Sequence, residues 1–210
     1  MKYSFLFWCI LLLVSCQFSP SVSNKTIVLV KQYKGFPKNE VDTITAILKE
    51  VYGVKVIVAQ NQELYKNAFI DVKSPRYRAD SIIKLQKAGL KDSIDFILGL
   101  TSKDISTTKK DDSGNVKKPE YKYQDWGIMG LAYCPGNSCV VSSFRIKHKN
   151  KAVYFDRLKK VAVHEFGHNL GLPHCPDKKC VMTDAVESVS TIDNAKLKLC
   201  GACAGKINLN

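Results

Sequence analysis

The nineteen residues from His164 to Met182, HEFGHNLGLPHCPDKKCVM, hold three of the chain's four histidines and two of its eight cysteines. His164 and His168 are four apart. On a helix this spacing sends both rings to one side, one turn apart, where zinc–nitrogen bonds of about 2.0–2.1 Å can meet at one ion. A third ligand from the next turn would be carried past that ion by the helix axis. Gly171 and Pro173 remove the difficulty. Glycine tolerates the left-handed conformation that ends a helix, and proline keeps the helix from resuming. The chain can then swing back and present His174. Three protein ligands leave a fourth position open, which is the catalytic arrangement rather than the structural one. Glu165 lies about 100° round the helix from His164, close to a metal-held water yet not on the metal. It is the candidate general base, taking a proton from that water and passing it to a leaving amine. His148, in the lysine-rich RIKHKNK, is expected to be exposed.

The rest of the chain supplies a frame for this helix, which reads as KAVYFDRLKKVAVHEFGHNLG. TIVLVKQY (26–33) is an apolar strand. KNEVDTITAILKEVYG is a helix with Asn39 as N-cap and Gly53 as stop, and VKVIVAQ (54–60) is a second strand. Strand, helix and strand in this space predict a βαβ unit with parallel strands. RADSIIKLQKAG is a second helix and SIDFILGLT (93–101) a third strand. Residues 102–125 are polar and read as a long exposed loop. WGIMGLAY and CVVSSFRIK, joined by CPGNS, read as an antiparallel hairpin. TIDNAKLKLCGAC (191–203) reads as a C-terminal helix. The expected class is α+β: a mixed twisted sheet, parallel first, with a late antiparallel hairpin. The length, 210 residues, suits one domain, and 45% hydrophobic residues are enough for a core.

The N-terminus reads as an address rather than as fold. Residues 1–15 have a lysine followed by an uncharged apolar run, too short to span a bilayer and suited to a signal peptide. LVSC, ending at Cys16, resembles the lipobox of bacterial lipoproteins. That resemblance implies lipidation of Cys16, and the alternative is an ordinary signal peptide with an incidental cysteine. Residues 16–25, Pro/Ser-rich, would be a tether, and 26–210 the catalytic domain. The formal charge of +13 is carried by lysines scattered through loops with no nucleic-acid-binding motif beside them. A solvated face, or attraction to anionic lipid near the anchor, fits better.

Export makes disulfides available to the six remaining cysteines. Cys175 and Cys180, followed by Cys200 and Cys203, have the spacing of a tetrahedral zinc–thiolate site, with disulfides as the alternative. Cys134 and Cys139 flank the hairpin turn and form a candidate disulfide or a free pair.

The pattern H-E-x-x-H-x-x-G-x-x-H with a following methionine, here His164, Glu165, His168, Gly171, His174 and Met182, resembles that of the metzincins. The continuation C-x4-C-x-M-x17-C-x2-C, supplied by Cys175, Cys180, Met182, Cys200 and Cys203, resembles the archaemetzincins within that clan. The likeness spans residues 164–203. It implies a zincin/metzincin-like fold, a catalytic zinc on the three histidines and a structural zinc on the four cysteines. It also implies Met182 in a tight turn as an apolar floor, and a cleft whose upper strand pairs with extended substrate. By position that strand is CVVSSFRI or its hairpin partner. Two departures stand out: the lipobox is unusual for the family, and Cys134 and Cys139 lie outside its signature.

The sequence thus predicts a monomeric zinc metallopeptidase with two zincs per chain (one catalytic, one structural), acting on peptides or proteins. It would be exported and lipid-anchored at Cys16 to a bacterial membrane, outer or plasma, with no nucleic-acid partner. The reading from a different class is a non-catalytic, zinc-containing binding lipoprotein. Glu165 argues against it, because a binding module has no need of a general base.

Overall fold

In β1 (Ile27–Gln32), alternate residues Val28 and Val30 are fully buried. α1 (Lys38–Tyr52) follows and buries Val41, Ile44, Leu48 and Tyr52, the stripe that a 3.6-residue period predicts. It begins earlier than expected, with Pro37 rather than Asn39 as N-cap, because the fixed φ of proline (−69° here) sets up the first turn. It stops at Gly53, φ 65°, as expected. β2 (Lys55–Val58) then runs parallel to β1 and completes the βαβ unit. These coordinates are a computed structural model that describes residues 22–184 and 188–209.

The later elements, in chain order, are β3 (Phe69–Asp71), β4 (Pro75–Arg78), α2 (Ala79–Ala88), β5 (Phe96–Thr101), β6 (Ile105–Thr107), α3 (Glu120–Tyr123), β7 (Trp126–Ile128), β8 (Gly130–Ala132), β9 (Ser138–Ser142), α4 (Lys151–Asn169), α5 (Val189–Asn194) and α6 (Gly201–Lys206). The main sheet has the order β2-β1-β5-β9-β8. Its first four strands are parallel, and β8 closes it as an antiparallel edge. The expected hairpin is therefore β8–β9, with β8 outermost.

A second sheet, β3-β4-β6-β7, was not legible in the sequence. It corrects the reading of residues 102–125 as a loop throughout. Ile105 and Ser106 are buried because β6 is held between β4 and β7. WGIMGLAY is accordingly not one strand but two. It passes from the second sheet to the main one at Met129, whose carbonyl accepts a hydrogen bond from the Ser142 amide at 2.8 Å.

α4 packs across the main sheet and against α1. The Tyr52 hydroxyl, fully buried, donates to the Val163 carbonyl at 2.7 Å, and its ring meets Phe166 edge-on at 5.0 Å. At the C-terminus the single helix expected over 191–203 is instead α5 and α6 with extended chain between them. Val181 donates to the Lys198 carbonyl and Lys196 to the Lys179 carbonyl, which lays the intervening residues along the cysteine loop. At the other end Val22 is buried in the main core, so at least part of the stretch expected to be tether belongs to the folded domain. The signal segment and Cys16 lie outside the described residues.

Candidate active site and thiolate centre

α4 carries His164, Glu165 and His168 and then ends in a left-handed cap. Gly171 has φ +84°; its amide donates to the His168 carbonyl at 2.8 Å, and the Leu172 amide donates to the Gly167 carbonyl at 3.0 Å. The chain reverses, and His174 joins the other two. The three rings have centroid separations of 4.6, 4.9 and 5.4 Å, and one ligand nitrogen from each lies within 4.8 Å of the others. His148 is exposed, as expected, and belongs to neither group of converging ligands.

Backbone carbonyls decide which nitrogen of each helical histidine faces the site. His164 Nδ1 is 2.8 Å from the Val181 carbonyl and His168 Nδ1 is 2.7 Å from the Leu172 carbonyl. A carbonyl can only accept, so each Nδ1 carries the proton and each Nε2 is left with a lone pair. The two Nε2 atoms face each other at 3.0 Å. Two lone pairs repel at that distance unless a cation lies between them; the edge of a tetrahedron of nitrogen ligands on zinc is about 3.3 Å. Burial, then the neighbouring His168, holds His164 down to about 3, and burial likewise lowers His168. Both are kept neutral, the form that binds metal. His174 is more open, with Nδ1 3.9 Å from Asp184.

Glu165 is buried against β8, and burial pushes its carboxyl up to about 8. Gly130 makes this placement possible. A Cβ at that position would come within 2.6 Å of Glu165 Cγ and Oε1. Gly167 plays the matching part below the helix, where a Cβ would meet Met182 Sδ at 2.5 Å. Met182 is fully buried there, beneath the turn between the two helical histidines. Between α4 and β8 lies a cleft of 330 Å³ whose apolar walls include Leu131, Ala132, Val161, Val181 and Ile192.

The four cysteines of the second cluster also converge, with all four Sγ atoms within 4.8 Å of one another. Cys175–Cys200 and Cys180–Cys203 are each 3.8 Å apart. A disulfide would be about 2.05 Å. Tetrahedral thiolates at zinc–sulfur distances of about 2.3 Å are about 3.8 Å apart. Burial raises Cys180 and Cys203, while a hydrogen bond from the Cys203 backbone, at the start of α6, draws Cys200 down to about 7. The donor set and its spacing fit a divalent zinc-like cation.

The candidate bridge between Cys134 and Cys139 is not formed. Cys139 is buried in β9 within the main core, whereas Cys134 is exposed at the turn with its thiol on the Leu172 carbonyl at 3.4 Å. The sequence also gave no sign of several supporting groups. Buried Asn169 clamps the hairpin turn to α4, its Nδ2 donating to the carbonyls of Tyr133 and Ser138 at 3.2 and 3.1 Å. The carbonyls of Val181 and Leu172 and the glycine at 130 likewise act only through tertiary approach. An asparagine in the last helical turn was the one signal available for Asn169.

Known proteins resemble this chain in sequence and fold. Residues 23–209 match the model of peptidase family M54. An archaemetzincin from Haloquadratum walsbyi is 33% identical over 168 residues, covering 76% of this chain and 86% of its own. The crystal structure of archaemetzincin from Methanopyrus kandleri superposes with a TM-score of 0.70 at 27% identity, over 88% of this chain and 94% of that one. The archaemetzincin of Archaeoglobus fulgidus, complexed with malonate, gives 0.69 at 26% identity over 87% and 100%. With its histidine triad, adjacent glutamate and methionine turn on a shared fold, the chain belongs to peptidase family M54, the archaemetzincins, and is a zinc metallopeptidase.

Proposed function

We propose that the protein hydrolyses peptide bonds in the cleft between α4 and β8, with Glu165 as general base. The observation that carries this is the pair of inward-facing Nε2 lone pairs 3.0 Å apart beside a buried carboxylate. His164, His168 and His174 would hold the catalytic zinc. Zinc held there supplies a Lewis acid that lowers the pKa of water toward ~7 and polarises a carbonyl. The chain does the rest. The Val181 and Leu172 carbonyls keep the two helical rings in the ligating tautomer. Burial alone favours the protonated form of Glu165; a cation held by the histidines would favour its carboxylate, which accepts a proton from water and returns it to the leaving amine. β8 is the outermost strand of the main sheet among the described residues, so its amides and carbonyls can pair with an extended peptide, and the apolar walls exclude bulk water.

A second zinc, on Cys175, Cys180, Cys200 and Cys203, would be structural: four thiolates close the coordination shell and tie α6 beneath the active site. The holoenzyme then contains two zincs and works as a monomer on peptide or protein substrates. The order of charge, apolar run and LVSC supports export and lipid anchoring at Cys16 to a bacterial membrane. A purely binding role is disfavoured by the Glu165–Gly130 fit, which a non-catalytic site would not require.

Substitution Glu165→Gln is expected to lower peptide hydrolysis at least about a hundredfold while zinc content is retained; unchanged hydrolysis contradicts the mechanism. Gly130→Ala forces Glu165 aside, and a comparable displacement of a catalytic group costs on the order of a hundredfold. The expected readout is a fall in kcat with zinc content unchanged, and wild-type kcat would refute the positioning role. For the anchor, detergent-phase partitioning of the full-length protein should be lost on Cys16→Ser. Partitioning that survives the substitution, or is absent from the wild type, overturns lipidation.

A further inference from the structure

A second and larger cavity, of 580 Å³, lies away from the histidines, at the carboxyl ends of β1, β5 and β9. Tyr154 borders it, ten residues before His164 on α4, which is a rise of about 15 Å along the axis. The position is topologically distinctive. β1 and β5 are neighbours, but the chain leaves β1 through α1 toward β2 on one side, while β5 leads to β9 on the other. Open parallel sheets bind small ligands at such a reversal, outside the strand ends.

A buried carboxyl group with one unpartnered oxygen borders the cavity. Glu40 is 8% exposed, and its Oε2 has no hydrogen-bond partner among the described residues. The cause is local. Glu40 stands three residues after the N-cap of α1, where a glutamate ordinarily reaches back to the N-cap amide. That N-cap is Pro37, which has no N–H to give. Burial raises the pKa of the carboxyl group, outweighing the hydrogen bond with Tyr154 and the charge of Lys147, which lower it. Asp104, the other acid at the cavity, is already engaged by Arg145 in a two-pronged pair at 2.7 and 2.8 Å. Two exposed lysines, Lys103 and Lys147, stand at the same opening, and the aromatic rings of Phe69, Tyr77 and Phe144 form its walls.

We propose that this pocket binds a free α-amino acid with a large apolar side chain. Its ammonium would complete Glu40, its carboxylate would meet Lys103 and Lys147, and its side chain would lie among the aromatic rings. The complementarity is of a zwitterion to a pocket that has both signs of charge and an apolar body. The site is separate from the cleft and is built by different elements. Such ligands carry the two groups that peptide hydrolysis liberates, so the site would report on accumulated product.

Isothermal titration of the zinc-loaded protein with L-phenylalanine tests this. The expected result is one saturable site, with N-acetyl-L-phenylalanine (no ammonium) and phenethylamine (no carboxylate) each binding at least tenfold more weakly. Glu40→Gln and, separately, Lys103→Glu should each weaken L-phenylalanine at least tenfold. Lys103 is exposed, so its reversal leaves the fold intact and decides the matter if Glu40→Gln lowers thermal stability. Absence of saturable binding overturns the proposal. So does binding that Lys103→Glu leaves unchanged, which would place the amino acid on the catalytic histidines instead.

Discussion

A straight helix cannot direct three side chains from successive turns at one ion, because 3.6 residues per turn carries the third past it. The left-handed residue at Gly171 is therefore the constraint on which the catalytic end depends. It stops α4 one residue after His168 and sends the chain back, so that His174 arrives from outside the helix. The same reversal brings the Leu172 carbonyl onto His168 Nδ1. One backbone conformation thus places a ligand and sets the tautomer of another.

The turn at residues 180–183 does comparable work for both centres. Cys180 receives the Cys200 amide on its sulfur at 3.3 Å, and the next residue donates its amide to Lys198 and offers its carbonyl to His164. Met182 takes the Cys175 amide on its carbonyl while its thioether fills the space beneath Gly167. The thiolate cluster and the histidine triad are thereby two faces of one hydrogen-bonded turn. His174 and Cys175, adjacent in the chain, diverge to opposite sides of it. Loosening the cysteines would release the carbonyl that orients His164, which gives the closed centre a physical role in the open one.

Chemistry at fixed spacing was legible in the sequence: the i, i+4 histidines, the helix-ending glycine, and the two cysteine pairs all meet where their spacing directs. Local periodicity also read well, in β1, α1 and the β8–β9 hairpin. What escaped depends on non-local approach. β6 is three residues in a polar stretch, and only its pairing with β4 and β7 buries Ile105. Pro37 displaced Asn39 as the cap because restricted φ outweighed side-chain capping. The C-terminal helix was split by hydrogen bonds to the cysteine loop, whose partners lie seventeen residues away. The roles of Gly130 and Gly167 exist only because another element comes within contact distance of each.

The division of one short stretch between two metal centres can be measured by zinc X-ray absorption on the purified full-length protein. Two zincs per chain are expected, with averaged shells of about two sulfurs near 2.3 Å and two nitrogen or oxygen atoms near 2.0 Å per zinc. In His174→Ala the nitrogen shell should shrink while the sulfur shell stays. A single zinc per chain, or a spectrum without the sulfur shell, would contradict the division of His174 and Cys175 between separate ions.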